Sequence, residues 1–228
     1  MVDARKWLEP DQAKQVAAAI TEAERRTQAE FLWVVASQSG RYDRAESIVG
    51  LAFGVAGLLL SQSLGALVLA PGPGSWVTPG MVGNGWLLVG LVLGFVVGNT
   101  VATLWPSLAR PFVPRREFEQ EVERSAAYVF SLHKVSHTAR GVGVLLYLSL
   151  LERRVVVLAD RAAFEVLGQT GVDGLRDLAI EKLKGGQRVE ALTATVAQAA
   201  DTLAERFPCP DDDVDELPNH LVVIHPRP

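Results

Sequence analysis

The strongest constraint on this chain is a stretch of 63 residues, 47–109, that contains no Asp, Glu, Lys or Arg. Two apolar runs lie within it, Ile48–Ala70 and Trp86–Trp105. A helix needs about 20 apolar residues to cross a bilayer core, and each run meets that length. Pro71–Gly85 between them is rich in Pro and Gly, which predicts a turn. The sequence therefore predicts a two-helix transmembrane hairpin over 47–109 that contacts the lipid bilayer.

Glycines recur at helical spacing in both runs. Gly50 and Gly54 form one GxxxG pattern, and Gly90, Gly94 and Gly98 form a doubled one. Such spacing lets two membrane helices approach closely, which favours packing of the two runs against each other in a hairpin. We expect these glycine-rich faces to be exposed and to offer a docking surface for a partner. The alternative, a buried hairpin in the core of a soluble protein, would seldom lack a charged face on both helices.

The first run also carries three adjacent polar residues, Ser61, Gln62 and Ser63. We expect them to bond the neighbouring helix or the backbone. A transport pathway would more often show ionisable groups at this depth, and neither run has any. Two helices also cannot enclose a pathway without oligomerising, so a transporter or channel is the least favoured interpretation.

The basic residues that flank the hairpin predict its orientation. Arg41 and Arg44 precede the first run, Arg110, Arg115 and Arg116 follow the second, and the connecting turn contains neither Lys nor Arg. By the positive-inside rule both termini are cytoplasmic. The N-terminus lacks the pattern of a signal peptide. We therefore expect a two-pass integral protein of the bacterial inner membrane.

The remaining residues, 1–46 and 110–228, have the size of one domain. The net charge of −4 gives no electrostatic footprint for nucleic acid. Cys209 is the only cysteine, which excludes an intramolecular disulfide. Hydrophobic periodicity predicts an α/β fold, with helices packed on a small mixed sheet. The predicted helices are Pro10–Arg26, Pro114 to about His137, Asp173–Lys184 and Val189–Phe207; the predicted strands are Phe31–Ala36, an antiparallel pair over Gly141–Leu151 and Arg154–Ala159, and a short strand or tail at Leu221–Ile224.

One segment resembles a known family. Thr138–Asp160 (TARGVGVLLYLSLLERRVVVLAD) resembles the central signature of the TPM domain family, formerly a domain of unknown function. Val189–Pro208 and Asp215–Val222 are similar to the end of a bacterial subgroup that carries an inserted transmembrane hairpin. In that subgroup an Asn is expected where this chain has Asp215, which puts any ligand role for that residue in doubt. The resemblance implies an α/β sandwich around a central mixed sheet.

The resemblance leaves the activity open, because members of the family differ. Some plant thylakoid members are reported as acid phosphatases or photosystem maintenance factors, and one animal member is an accessory protein of a ligand-gated channel. The chain has no GxSxG, HExxH or P-loop pattern. We therefore expect a non-enzymatic binding or accessory module for a membrane-protein complex, or a homo-oligomer. A weak acid phosphatase dependent on Ca²⁺ or Mg²⁺ is the alternative.

Candidate catalytic residues cluster around the predicted antiparallel strand pair. Glu152 and Arg153 lie in its turn, and Asp160 and Arg161 follow it. Ligands of α/β sheets bind at strand ends, where an Arg can hold a phosphate and a carboxylate can hold a cation or act as a base. Glu152 and Asp160 are thus also candidate metal ligands. The alternative for the turn is a solvated hairpin tip.

Two further patterns suggest metal ligands. Asp213 and Asp215 lie in an acidic run, DDDVDE, that lacks the Gly and Glu of an EF-hand and is also typical of a solvated loop. His133 and His137 are four residues apart on the predicted second helix, a spacing that can bind a metal. Such a pair is also typical of a polar helix end.

Overall fold

The computed structural model describes residues 3–68, 85–135, 142–209 and 221–228. It divides the chain into two units, one formed by Arg41–Arg115 and the other by the residues up to Gly40 and from Arg116 onwards. The described helices are α1 Pro10–Glu24, α2 Asp43–Val68, α3 Gly85–Leu104, α4 Pro106–Ala109, α5 Arg115–Leu132, α6 Arg161–Lys184 and α7 Arg188–Ala204; the strands are β1 Glu30–Ala36, β2 Gly143–Ser149, β3 Arg154–Ala159 and β4 Leu221–Ile224.

The four strands of the second unit form one mixed sheet in the order β3-β2-β1-β4. β2 and β4 run parallel to β1, whereas β3 runs antiparallel to β2. The register places Trp33 of β1 between Leu146 of β2 and Leu221 of β4. The predicted antiparallel pair and the predicted α/β class with a small mixed sheet are both confirmed.

Both faces of the central strand are buried, which explains why its sequence is a continuous apolar run. Phe31, Trp33 and Val35 face one core, in which α1, α6 and α7 pack on the sheet. Leu32 and Val34 face a second core, which is completed by α5. The α/β unit therefore has three layers, with one helix on one side of the sheet and three on the other.

The helix boundaries that differ most from those predicted are the end of α5 and the start of α6. α5 ends at Leu132, so His133 lies in the turn after the helix and not on it. α6 begins at Arg161 instead of Asp173, and it is kinked at Gly168, where φ is +60°. Glycine adopts a positive φ at low cost, so Gly168 allows the chain to bend there between the two helical parts of α6.

The hairpin unit contains two helices that are long and apolar enough to span a membrane. Their glycines face one another: Gly50 lies against Phe95 and Asn99 near one end, and Gly57 lies against Gly90 further along. The helices are therefore antiparallel and pack on each other through their glycines, as the spacing predicts, whereas the expectation that these faces are exposed for a partner is wrong. The close approach that the glycines permit is used within the hairpin itself. Residues 71–84 of the predicted turn lie outside the described part of the chain.

Candidate functional site

Glu152 lies in the four-residue turn between β2 and β3, but it is buried and not at a solvated tip. Its Oε1 accepts hydrogen bonds from the backbone N–H groups of Ser39 (2.9 Å) and Gly40 (3.2 Å). Its Oε2 accepts a short bond from the Ser149 hydroxyl. The carboxylate therefore ties the segment after β1 to the turn after β2, where the carboxyl ends of two parallel strands meet.

Hydroxyl groups extend this arrangement into the core. The Ser39 hydroxyl donates to Ser149 Oγ at 2.8 Å and lies 3.0 Å from the phenol oxygen of Tyr147. Ser125 of α5 donates to the Ser39 carbonyl at 3.1 Å. We call Ser39, Ser125, Tyr147, Ser149 and Glu152 the Glu152 network. All five residues are buried. Buried polar groups are stable only when they are bonded, and here they bond one another.

Burial also changes the acidity of the phenol in the Glu152 network. Loss of solvation raises the pKa of Tyr147 to about 12, with a smaller raising effect from the charge of Glu152. The folded chain thus holds the phenol in its neutral form. The stability that this gives is complete below pH 10 and is lost as the pH rises towards 12.

Asp160 lies directly after β3 and caps α6. Its Oδ1 accepts from the Ala163 N–H at 2.8 Å, and its Oδ2 accepts from the Gly143 N–H at 2.9 Å. Burial raises the pKa of Asp160, while the backbone bonds, to Ala163 first, oppose that rise. The carboxylate therefore joins the start of α6 to the start of β2. An Asp directly before a helix is a recognised capping signal, so this role of Asp160 is visible in the sequence once the start of α6 is known.

The two candidate carboxylates lie at opposite ends of the sheet. Glu152 precedes β3 and Asp160 follows it, so the whole strand of six residues separates them. At about 3.3 Å per residue this is roughly 20 Å, too far for one metal ion or one phosphate. The structure therefore does not bring the two predicted acid groups together.

The candidate arginines are exposed. Arg153 lies in the turn with a φ of +55°, a left-handed conformation that is uncommon for a residue other than glycine. Arg161 has a side chain that is 94% exposed and pairs with Glu165 of α6 at 3.1 Å. Arg154 of β3 forms a short ion pair with Glu119 of α5. Arg154 and Arg161 thus form ion pairs with Glu119 and Glu165, two carboxylates on helices.

The predicted metal ligands do not form a cluster in the described part of the chain. No group of three His, Cys, Asp or Glu side chains there is placed to hold a metal ion. Asp213, Asp215 and His137 lie outside the described residues, so the structure does not place them.

One contact joins the N-terminal segment and the residues after β4 to Ser37, the residue that follows β1. His225 Nδ1 lies 2.8 Å from the Ser37 hydroxyl and 3.4 Å from Asp3 Oδ1. In a Ser-His-Asp triad the serine and the aspartate contact opposite ring nitrogens, and here both contact the same one. Ser37 also accepts a bond from the Ala4 N–H at 2.8 Å. The geometry anchors the N-terminal segment and does not form a proton relay. These residues come from distant parts of the sequence, so no motif spacing could have revealed the contact.

A cavity of about 400 Å³ lies beside this anchor. Its apolar lining comes from the N-terminal segment, β1 and β4, including Trp7, Leu8, Val35 and Leu221, and Arg5 and Lys6 also line it. Neither candidate carboxylate reaches it. Glu9 is a further charged residue of the lining, and the volume falls within the range of small-molecule sites.

Comparison with known proteins supports the fold. The chain is similar to the BA42 protein of the psychrophilic bacterium Bizionia argentinensis, solved by NMR. The TM-score is 0.59 at 18% sequence identity, and the match covers 98% of this chain and 100% of the other. No protein-family profile matches the sequence, and no curated protein does. At this identity the likeness shows the shared α/β fold, not a shared activity.

Proposed function

We propose that the chain is a membrane-tethered, TPM-like α/β domain that binds a membrane-protein complex as a non-enzymatic accessory module. The observation that carries this proposal is how the candidate carboxylates are used. Both accept bonds from the chain's own backbone N–H groups, at opposite ends of the sheet. A carboxylate engaged in this way stabilises the fold, and the burial of both groups leaves a substrate little access to them.

The same proposal places the hairpin in the bacterial inner membrane, with both termini and the α/β domain in the cytoplasm. The apolar exterior of α2 and α3 supports insertion, and the flanking arginines support the orientation. The single thiol, Cys209, offers a test. An impermeant maleimide should label it after lysis but not in intact cells, with denatured protein as the control for burial. Labelling in intact cells would reverse the orientation.

An exposed apolar pair on the α/β unit is the surface at which we expect the partner. Tyr128 and Leu132 lie one turn apart on α5 and are 56% and 59% exposed. Tyr is enriched in contact surfaces, and the exposed Leu132 extends the apolar area beside Tyr128. A tagged full-length chain should co-purify from native membranes with an integral protein. The Tyr128→Ala/Leu132→Ala variant should lose that protein, and Ser131→Ala, a change to the exposed residue between them, should keep it. Equal recovery of the partner with the wild-type chain, the double variant and Ser131→Ala would rule out this surface.

The second candidate function is a divalent-metal-dependent phosphatase that uses Glu152, Asp160, Arg153 and Arg161. Its sharpest test avoids the two carboxylates, because their loss would disturb the fold. Arg161→Ala removes only an exposed side chain and its helix ion pair. Purified protein should be assayed across acidic to neutral pH with and without Ca²⁺ or Mg²⁺. Metal-dependent turnover that Arg161→Ala abolishes would favour the enzyme over the binding module.

A further inference from the structure

Gln62 differs from the two serines beside it. Ser61 donates to the Leu58 carbonyl at 2.8 Å and Ser63 to the Leu59 carbonyl at 3.0 Å. Both hydroxyls are therefore satisfied within α2. Gln62 is exposed on the outside of the hairpin unit, and no hydrogen bond from another described residue reaches its side chain. The expectation that all three polar residues bond the neighbouring helix or backbone thus fails at Gln62.

The position of Gln62 along α2 makes this exposure costly in a bilayer. It lies 14 residues after Ile48 in a helix that continues to Val68. At 1.5 Å per residue this is roughly 21 Å along the helix from Ile48, inside a hydrocarbon core about 30 Å thick. No water is available there to satisfy the carboxamide, so a protein partner is strongly favoured.

The residues around Gln62 have the pattern of a paired helix. Gln62 belongs to a stripe with alternating spacings of three and four, which we call the α2 stripe: Ile48, Leu51, Val55, Leu58 and Gln62. Four of these residues are exposed and Leu58 is half-buried. In a heptad the β-branched residues Ile48 and Val55 occupy position a, and Leu51 and Leu58 occupy position d. Gln62 then occupies the next a position. This pattern favours two parallel helices, and one polar a residue fixes their register.

The α2 stripe is separate from the face that packs on α3. The glycine face runs through Gly50, Gly54, Gly57 and Ser61, each one residue before a member of the stripe. One residue turns an α-helix by about 100°, so the stripe lies to one side of the hairpin contact. A second helix can therefore pack on the stripe while α3 stays in place.

We propose that the α2 stripe pairs with the same stripe of a second copy, with the two Gln62 carboxamides hydrogen-bonded across a twofold axis. This rests on the membrane insertion in the proposed function. All copies insert in one orientation, so their α2 helices run parallel and their Gln62 residues lie at the same depth. A carboxamide is both donor and acceptor, so two copies satisfy each other. A twofold interface brings like residues together in this way.

Cross-linking of the full-length chain in membranes tests which face pairs. In a Cys209→Ser background, Leu51→Cys places a thiol on the stripe and Leu60→Cys places one nine residues later, half a turn away. The two leucines are similarly exposed, at 58% and 64%. Oxidation should yield a disulfide-linked dimer with Leu51→Cys at several times the yield with Leu60→Cys. Equal yields, or a cross-link from Leu51→Cys to a different protein, would overturn pairing with a second copy.

A second pair of variants tests Gln62 itself. Gln62→Leu makes α2 more apolar, so insertion is not at risk, and it should weaken dimerisation in liposomes by about three- to thirtyfold. Ser63→Leu removes an adjacent exposed hydroxyl that is already bonded within the helix, and should leave dimerisation unchanged. An unchanged dimer with Gln62→Leu would overturn the proposal. Resistance to alkaline carbonate extraction reports insertion separately: an extracted chain refutes the membrane tether, whereas an inserted monomer refutes only the dimer.

Discussion

The two units of this chain solve opposite packing problems. In the hairpin, Gly57 and Gly94 have no side chains, so the backbones of the two helices are in direct contact there. In the α/β unit, Glu152 and Asp160 carry polar side chains into the interior, where backbone N–H groups bind them. One unit leaves its apolar side chains on the outside, and the other buries them against a sheet. An apolar exterior suits contact with lipid, whereas an apolar core under a polar exterior suits contact with water.

The comparison also shows what an exceptional residue means in each unit. In the α/β unit a charged side chain in the interior is ordinary when the backbone bonds it, so Glu152 and Asp160 are weak evidence for catalysis. In the hairpin the apolar exterior is ordinary, so the exposed amide of Gln62 is informative. A side chain therefore suggests a function when its polarity does not match its surroundings and no bond within the chain accounts for it.

The largest expected effect comes from Glu152→Ala, which tests whether the interior carboxylate stabilises the α/β unit. The change leaves two N–H groups and the Ser149 hydroxyl buried without their acceptor. We expect a loss of about 3–5 kcal/mol in the free energy of unfolding, because orphaned buried donors keep their full desolvation cost. Denaturant unfolding of the purified chain, followed by tryptophan fluorescence, measures it. Glu152→Gln keeps an acceptor oxygen and should lose less; an equal loss would show that charge, not bonding, matters.

The next largest effect tests the hairpin side of the comparison. In Gly94→Ala the new Cβ collides with the Phe53 carbonyl oxygen, whereas in Gly85→Ala it meets nothing within 4 Å. Overpacking of this kind costs about 1–3 kcal/mol. Spin labels on Leu59 and Leu93, both exposed, should report a larger α2–α3 distance in Gly94→Ala. An unchanged distance in Gly94→Ala would mean that the glycine contact does not hold the hairpin together.

The fold was more predictable than the site, for a physical reason. Runs of apolar residues are visible in the sequence, so their lengths located the buried strand β1, the β2–β3 pair and both hairpin helices. Hydrogen-bond partners are not encoded in spacing: the bond from Gly143 to Asp160 depends on how β2 and β3 pair. Asp160 also had two meanings in the sequence, a strand-end ligand and a helix cap. Only the position of α6 separates them.

A smaller effect tests the role of Asp160. Its side chain serves two N–H groups, and an Asn has one acceptor oxygen, so Asp160→Asn should lower the free energy of unfolding by about 1–2 kcal/mol at neutral pH. Because burial raises the pKa of Asp160 above 3.8, the native state holds its proton more tightly. Wild type should therefore gain relative to Asp160→Asn as the pH falls through that raised pKa. Unfolding from pH 3 to 7 measures this, and an opposite slope would show that the bonds outweigh burial.

The smallest effect comes from Asp3, which caps the short 3₁₀ helix Ala4–Lys6. Its pKa is shifted in the opposite direction to that of Asp160. It accepts from the Arg5 N–H and pairs with the Arg5 side chain at 2.9 Å. The Arg5 guanidinium is the main cause that lowers the pKa of Asp3 to about 2. The resulting stability is present above pH 3.8 and is lost as the pH falls towards 2. Arg5 is exposed, so salt should screen the interaction.

The difference in the free energy of unfolding between Asp3→Asn and wild type should thus shrink at acid pH and at high salt. The Asp160 difference, governed by burial, should respond to pH in the opposite sense and change little with salt. Matching responses at the two sites would mean that burial does not distinguish them.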